Sequence, residues 1–288
     1  MRNKILQKFS LFAELSKIKI PSAVTVSALT GYLVFKEMLD LTAFFLMGGV
    51  FLLSAGSAAL NQFQEYHFDA IMHRTRNRPI PSGRFSVKGT LIFSIILALS
   101  GITILYFATN LTATIIGLVT LVWYNVVYTP LKRKTVFAVL AGAFVGAFPP
   151  MIGWTAASGY LFDPVILLIA SLLFIWQVPH FILLLLKYGK DYEIAGFASL
   201  TTFFTENGLK QLIFIWILAT ACAVVIIPVA GVISSKIIIL ALLLSSVWLV
   251  ASFYFILRKQ SVNLKMAFMQ INIFLLLVLI LFSLDSLL

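Results

Sequence analysis

Long apolar runs separated by short polar breaks set the pattern of this chain. Runs of membrane-spanning length lie near 20–37, 42–66, 88–108, 111–129, 136–157, 164–186, 210–231, 235–257 and 265–286. Each suits a helix of about 20 residues, the length that crosses about 30 Å of hydrocarbon. The breaks carry turn and charge signals: Pro81-Ser82-Gly83, Asn110, Ser158-Gly159, Gly231 and Arg258-Lys259. The pattern predicts an all-α polytopic membrane bundle of about nine transmembrane helices around a central cavity. Ahead of the first run, Ile5, Phe9, Phe12 and Leu15 recur at roughly helical spacing. Residues 1–19 are therefore expected to lie along the membrane interface.

Charge orients the bundle. With the N-terminus in the cytoplasm, all but Lys36 and Lys236 of the 21 lysines and arginines fall on inside segments. That asymmetry predicts N-terminus in and C-terminus out. It also accounts for the net charge of +11 without a nucleic-acid partner. At 61% apolar and 11% charged, the chain is excluded from the soluble classes. Its 288 residues form one expected membrane domain, 1–288, with no length left for a second sizeable one. Cys222 is the only cysteine, which excludes a disulfide framework or a thiolate metal site. Residues 1–19 are too polar for a signal-peptide core, and the chain shows no transit peptide, which favours a prokaryotic plasma membrane. The inside loops at about 67–87 and 187–209 are long and polar, whereas outer ones such as Ala108-Thr109-Asn110 are minimal. A cytoplasm-facing chamber under two caps is expected, the caps four spans apart as an old duplication would leave them.

The richest stretch runs from Asn61 to Pro79. Asn61, Glu65 and Asp69 are spaced four and four, which places them on one helical face about 80° wide. Acids where a membrane helix meets its interface are costly unless they serve something. Stacked hard oxygen donors suit Mg²⁺, which takes few carboxylates plus substrate phosphates. Arg74, Arg76 and Arg78 follow, and guanidinium matches diphosphate. These residues read as a site for a diphosphate ester with an oily tail. His67 and His73 are read as supporting or solvated groups. A second constellation runs from Trp176-Gln177-Val178-Pro179-His180-Phe181 through Lys187 to Asp191-Tyr192 and Ala195-Gly196. Lys187 and Asp191, also four apart, would share a face, one holding phosphate and the other supplying a second metal oxygen. The competing reading is an ordinary ion pair. A third contains Tyr124, Tyr128-Thr129 and Lys132-Arg133-Lys134-Thr135. Its basic trio is either topological signal or a further diphosphate clamp. Gly142, Gly146, Pro149-Pro150 and Gly153-Trp154 then suggest a closely packed, kinked helix lining an apolar cavity.

Asn61-x3-Glu65-x3-Asp69 resembles the first acidic motif of the UbiA-type intramembrane prenyltransferases. Fuller strings resemble the branch of that family that farnesylates protohaem IX: Asn61-Gln62 through Met72-x-Arg74-Thr75-x2-Arg78-Pro79, Tyr128-Thr129-x-Leu131-Lys132-Arg133-x-Thr135, Gly146-Ala147-x-Pro149-Pro150-x-Ile152-Gly153-Trp154, and Trp176-Gln177-x-Pro179-His180-Phe181 with Asp191-Tyr192-x2-Ala195-Gly196. The resemblance covers roughly residues 20–285. Two departures stand out. Phe197-Ala198-Ser199-Leu200 replaces a Pro-Met-Leu that often follows Ala-Gly, and Leu183 stands where many members of the wider family carry an acid.

The resemblance implies farnesyl diphosphate and haem B as substrates, haem O as product, and Mg²⁺ as cofactor. It implies Asn61, Glu65, Asp69 and Asp191 as metal ligands, and Arg74, Arg78, Lys132, Arg133 and Lys187 as diphosphate donors. His180 would contact haem or its iron, and Tyr124, Tyr128, Trp176 and Phe63 would face a developing cation. The lone histidine has a plain alternative as a hydrogen-bonded core residue. Haem-pathway enzymes or a terminal-oxidase assembly are expected partners alongside the lipid bilayer. Rival readings are a prenyltransferase for an aromatic or chlorin acceptor, an ion-coupled transporter and a haem-binding chaperone.

Overall fold

The computed structural model describes residues 2–198, 200, 203–259 and 261–288, with only the backbone for residues 2–8. The side chain of Ile5 and all of Ser199 thus lie outside the described residues. Among the described residues eleven α-helices follow in order: α1 (Arg2–Leu15), α2 (Lys19–Lys36), α3 (Leu41–Ile71), α4 (Val87–Ala108), α5 (Leu111–Val122), α6 (Thr129–Lys134), α7 (Ala138–Ser158), α8 (Pro164–Ile194), α9 (Glu206–Val229), α10 (Lys236–Leu257) and α11 (Leu264–Asp285). A π-helical turn, Trp123–Tyr128, joins α5 to α6. Among the described residues eight stretches are individually long and apolar enough to cross a membrane, the α5–α6 stretch counting as one. The apolar run at 20–37 forms α2, which reaches that standard only together with Phe9–Leu15 across a 64° bend. No strand occurs among the described residues.

Six of the spans begin where the sequence supplies a cap. Asp40, Ser86, Asn110, Asp163, Thr205 and Asn263 each accept a backbone N–H from the first turn of the helix that follows. Gly159, with φ 76°, closes α7 in the left-handed region. Cores built from leucine, isoleucine and phenylalanine hold the bundle together, one among α7–α11 and one centred on α2, α3 and α5. Large apolar side chains such as Phe107, Val229 and Ile237 point outward at about 80% exposure, the pattern of a lipid-facing surface.

Two close approaches at one crossing set the geometry. On the α2–α7 contact, a methyl on Gly153 would overlap the Ala28 carbonyl, and one on Gly31 would overlap that of Pro150. Backbones therefore touch directly, as small residues permit in membranes. α11 packs on both α2 and α8, bringing the end of the chain back to its first span. The two cap regions are shorter than their polarity suggests. α3 continues to Ile71 and α8 to Ile194, so the connecting segments begin at Met72 and Ala195.

Candidate functional site

The stripe on α3 faces inward. Asn61, Glu65 and Asp69 are only 1%, 3% and 1% exposed. Polar groups so enclosed need partners. Each receives a cation, and the three cations come from different stretches of chain. Lys17, between α1 and α2, places Nζ 2.9 Å from Asn61 Oδ1. Lys132 on α6 sits 2.7 Å from the Glu65 carboxylate and hydrogen-bonds its Oε2, leaving Oε1 without a directed donor. One terminal nitrogen of Arg78 donates to both oxygens of Asp69, at 2.7 and 2.6 Å. Asn61 Nδ2 donates in turn to Thr129 Oγ1 at 3.2 Å.

The π turn contributes Tyr124 and Tyr128. Their rings stack with centroids 5.6 Å apart, and Tyr128 lies 5.8 Å from Phe181 of α8. The wide turn is held from both sides. Asn125 Nδ2 donates to Ser57 Oγ at 2.6 Å, and Gln64 Nε2 donates to the Asn125 carbonyl at 3.0 Å. An extra residue in a turn rotates everything after it. Thr129 and Lys132, which follow, are the α6 residues that reach Asn61 and Glu65.

The second motif meets the first across the 72–86 segment. Asp191 Oδ2 accepts the Arg74 backbone N–H at 3.1 Å. The Arg74 guanidinium lies 4.6 Å above the Tyr188 ring, and Lys187 Nζ lies 5.1 Å from the same ring. α8 is broken between Lys187 and Asp191: Tyr188 has φ −123° and ψ 15°. The helical geometry assumed for that pair from its spacing of four does not hold across the break. His73, Arg74, Lys187, Tyr188, Lys190 and Asp191 line a groove of about 500 Å³.

Other expected site residues lie apart from the carboxylates. Arg133 donates to the Gln64 carbonyl at 3.0 Å and stacks 4.5 Å over Phe68. Trp176 Nε1 donates to the Ile271 carbonyl at 2.9 Å. His180 packs between Trp176 and Phe268, with ring centroids 4.8 Å away on each side, and its buried Nδ1 has no hydrogen-bond partner among the described residues. These contacts anchor α8 to α11. Among the described residues Phe63 makes no aromatic ring contact with the stripe's neighbours. Sequence reasoning missed Lys17, which looked like one more topological charge, and Thr129, whose only signal was its place beside Tyr128.

Among the described residues no three Asp, Glu, His or Cys side chains converge closely enough to cage a metal ion. The donors are nevertheless hard oxygens buried on one face, Glu65 Oε1 being met only by the Lys132 ammonium at 2.7 Å and by no directed hydrogen bond. Mg²⁺ commonly binds through one or two carboxylates and completes its shell with water and substrate phosphate. The residues fit an ion of that kind arriving with an anionic ligand.

Residues 22–277 match the sequence profile of the UbiA prenyltransferase family. A protein named protoheme IX farnesyltransferase from Geobacter sulfurreducens is 36% identical over 211 residues, covering 73% of this chain and 78% of its own length. One of the same name from Oleidesulfovibrio alaskensis is 31% identical over 264 residues, covering 90% and 93%. The solved structure of a UbiA homolog from Archaeoglobus fulgidus bound to GPP and Mg²⁺ superposes with a TM-score of 0.70 at 14% identity, covering 96% of this chain and 99% of that one.

Proposed function

The chain belongs to the UbiA prenyltransferase family, and from that premise we propose that it farnesylates haem B at the 2-vinyl group, with addition of water, to give haem O. It is a multi-pass membrane prenyltransferase, so the transporter and chaperone readings fall away. The acceptor and donor rest on its likeness to bacterial proteins named for that activity, and a bacterial plasma membrane is the matching location. The observation that carries the chemistry is the buried row Asn61, Glu65, Asp69, each oxygen donor met by a cation from another stretch of chain.

Farnesyl diphosphate would bind with its diphosphate against this row. Arg78, Lys132, Arg74 and Lys187 would donate to the phosphate oxygens, Arg78 as a fork and the lysines as point charges. Mg²⁺ held by Asn61, Glu65, Asp69 and Asp191 would supply charge neutralisation for the departing diphosphate. The allylic C–O bond then breaks, its electron pair leaving with the diphosphate. Donors fixed beforehand in an enclosed site stabilise that charge without reorganising at the moment of reaction. The stacked faces of Tyr124 and Tyr128 would face the farnesyl cation, and the apolar bundle would keep water away until carbon–carbon bond formation. The vinyl group attacks the cation. Water adds to the resulting benzylic-type cation and loses a proton, leaving a hydroxyethylfarnesyl substituent. Arg133 would serve this site indirectly, by fixing the α3 backbone beside Glu65.

The test is Asp69→Asn in purified protein supplied with haem B, farnesyl diphosphate and Mg²⁺. A loss of at least about 100-fold in turnover is expected when one preorganised charge is removed. Wild-type turnover by this variant would end the assignment of Asp69 as a metal ligand.

A further inference from the structure

We infer that Lys17 is a third cationic arm of the site and binds the donor's diphosphate, delivered there by the elbow between α1 and α2. The inference rests on the prenyl diphosphate reading above and adds to it a residue from outside both acidic motifs. Lys17 has φ 49°, in the left-handed region that side chains other than glycine rarely adopt. The two helices turn by 64° around it. Such a conformation persists only where its surroundings over-determine it, and they do. Gln62 Nε2, on α3, donates to the carbonyls of Glu14 and Leu15 at 2.9 and 2.8 Å. Arg84 grips both Glu14 carboxylate oxygens at 2.8 Å and also donates to the Asn77 carbonyl. The elbow is thus pinned by a neighbour of the site on one side and by the 72–86 segment on the other.

The pinning aims an ammonium at Asn61. Its partner there is a neutral amide, at 2.9 Å. Glu65 and Asp69, the nearby acids, are already in contact with Lys132 and Arg78. Among the described residues Lys17 makes no ion pair, so three cations face two carboxylates. An ammonium has three donors, and Asn61 uses one. Lys17, Arg78 and Lys132 are each half-buried beside the row, and a positive excess gathered in this way is a site for an anion. A diphosphate placed against the row would meet two free N–H groups of Lys17. Lys17 would also release the Asn61 oxygen as the diphosphate and its metal arrive. Positive-inside topology explains a basic residue near this end of the chain, but not a strained elbow that turns its head inward.

The experiment measures binding of a farnesyl thiolodiphosphate, whose C–S bond resists ionisation, to the full-length protein in detergent with Mg²⁺, by calorimetry. Lys17→Met is expected to weaken binding about 10- to 100-fold, the effect of losing one charge-assisted contact, and Lys17→Arg to recover most of it. Glu14→Gln, which loosens the elbow but keeps the ammonium, should weaken binding less than Lys17→Met. Equal binding by wild type and Lys17→Met overturns the inference and leaves the prenyl diphosphate reading intact. Equal losses in Lys17→Met and Glu14→Gln, or no recovery in Lys17→Arg, also overturn it, because the elbow and not the charge would then be what matters. No binding by wild type would overturn both.

Discussion

Arg78 shows how one side chain links the folded protein to its chemistry. It bonds both oxygens of Asp69, a carboxylate only 1% exposed, while Thr75 donates to the Asp69 carbonyl at 3.0 Å and ties the following loop to the same residue. Removing the guanidinium leaves a buried charge without its partner and the diphosphate without a forked donor. Arg78→Ala is expected to raise KM for farnesyl diphosphate about 10- to 100-fold, as loss of a charged hydrogen bond of about 1.5–3 kcal/mol implies. KM for haem should move far less, and steady-state kinetics with each substrate varied in turn would check the ranking. The α3 stripe was legible because a spacing of four has one geometric meaning on a straight helix, and Asn61 to Asp69 is straight helix. Lys17 was not legible. Its approach to Asn61 depends on a left-handed backbone that no glycine or asparagine announces. For Lys187 and Asp191 the regular helical spacing fails for a related reason, since the break at Tyr188 carries no proline, although both residues line one groove.

Elements here are positioned by what their backbones allow. α7 crosses α2 with Gly153 against Ala28 and Gly31 against Pro150. A methyl at Gly153 meets a carbonyl oxygen, not the end of a flexible side chain, so the helices must separate. Gly153→Ala is therefore expected to destabilise the protein by about 1–3 kcal/mol and to lower its melting temperature in detergent. An alanine at Gly48, where nothing lies within 4 Å, should leave melting unchanged. Helix positions were readable from apolar length and from caps such as Asn110 and Asp163, since both are local signals. The π turn at Trp123–Tyr128 was not. It is stabilised by Ser57 and Gln64, residues roughly sixty positions earlier, and nothing in Trp-Tyr-Asn-Val-Val-Tyr itself marks a wider turn. Its effect is large, because it sets the rotation of Thr129 and Lys132 toward α3.

At the scale of the whole molecule, polar contacts gather where basic loops meet. Asp191 to Arg74 and Glu14 to Arg84 tie the end of α8 and the N-terminal elbow to the 72–86 segment, Glu65 to Lys132 ties α3 to α6, and Lys210 to the Lys259 carbonyl ties the start of α9 to the chain just past the end of α10. The rest of the bundle offers lipid an apolar surface. Such an arrangement suits a donor whose charged head stays at the interface while its tail enters hydrocarbon-like packing. The central claim is that this chain joins a farnesyl group to haem B, and mass spectrometry of porphyrins extracted from cells that express it, and otherwise make only haem B, tests that most directly. The account predicts a new haem heavier by one farnesyl group plus one hydroxyl, lost when Asp69 is replaced by Asn. Unchanged haem B alongside a prenylated aromatic or chlorin product would contradict it.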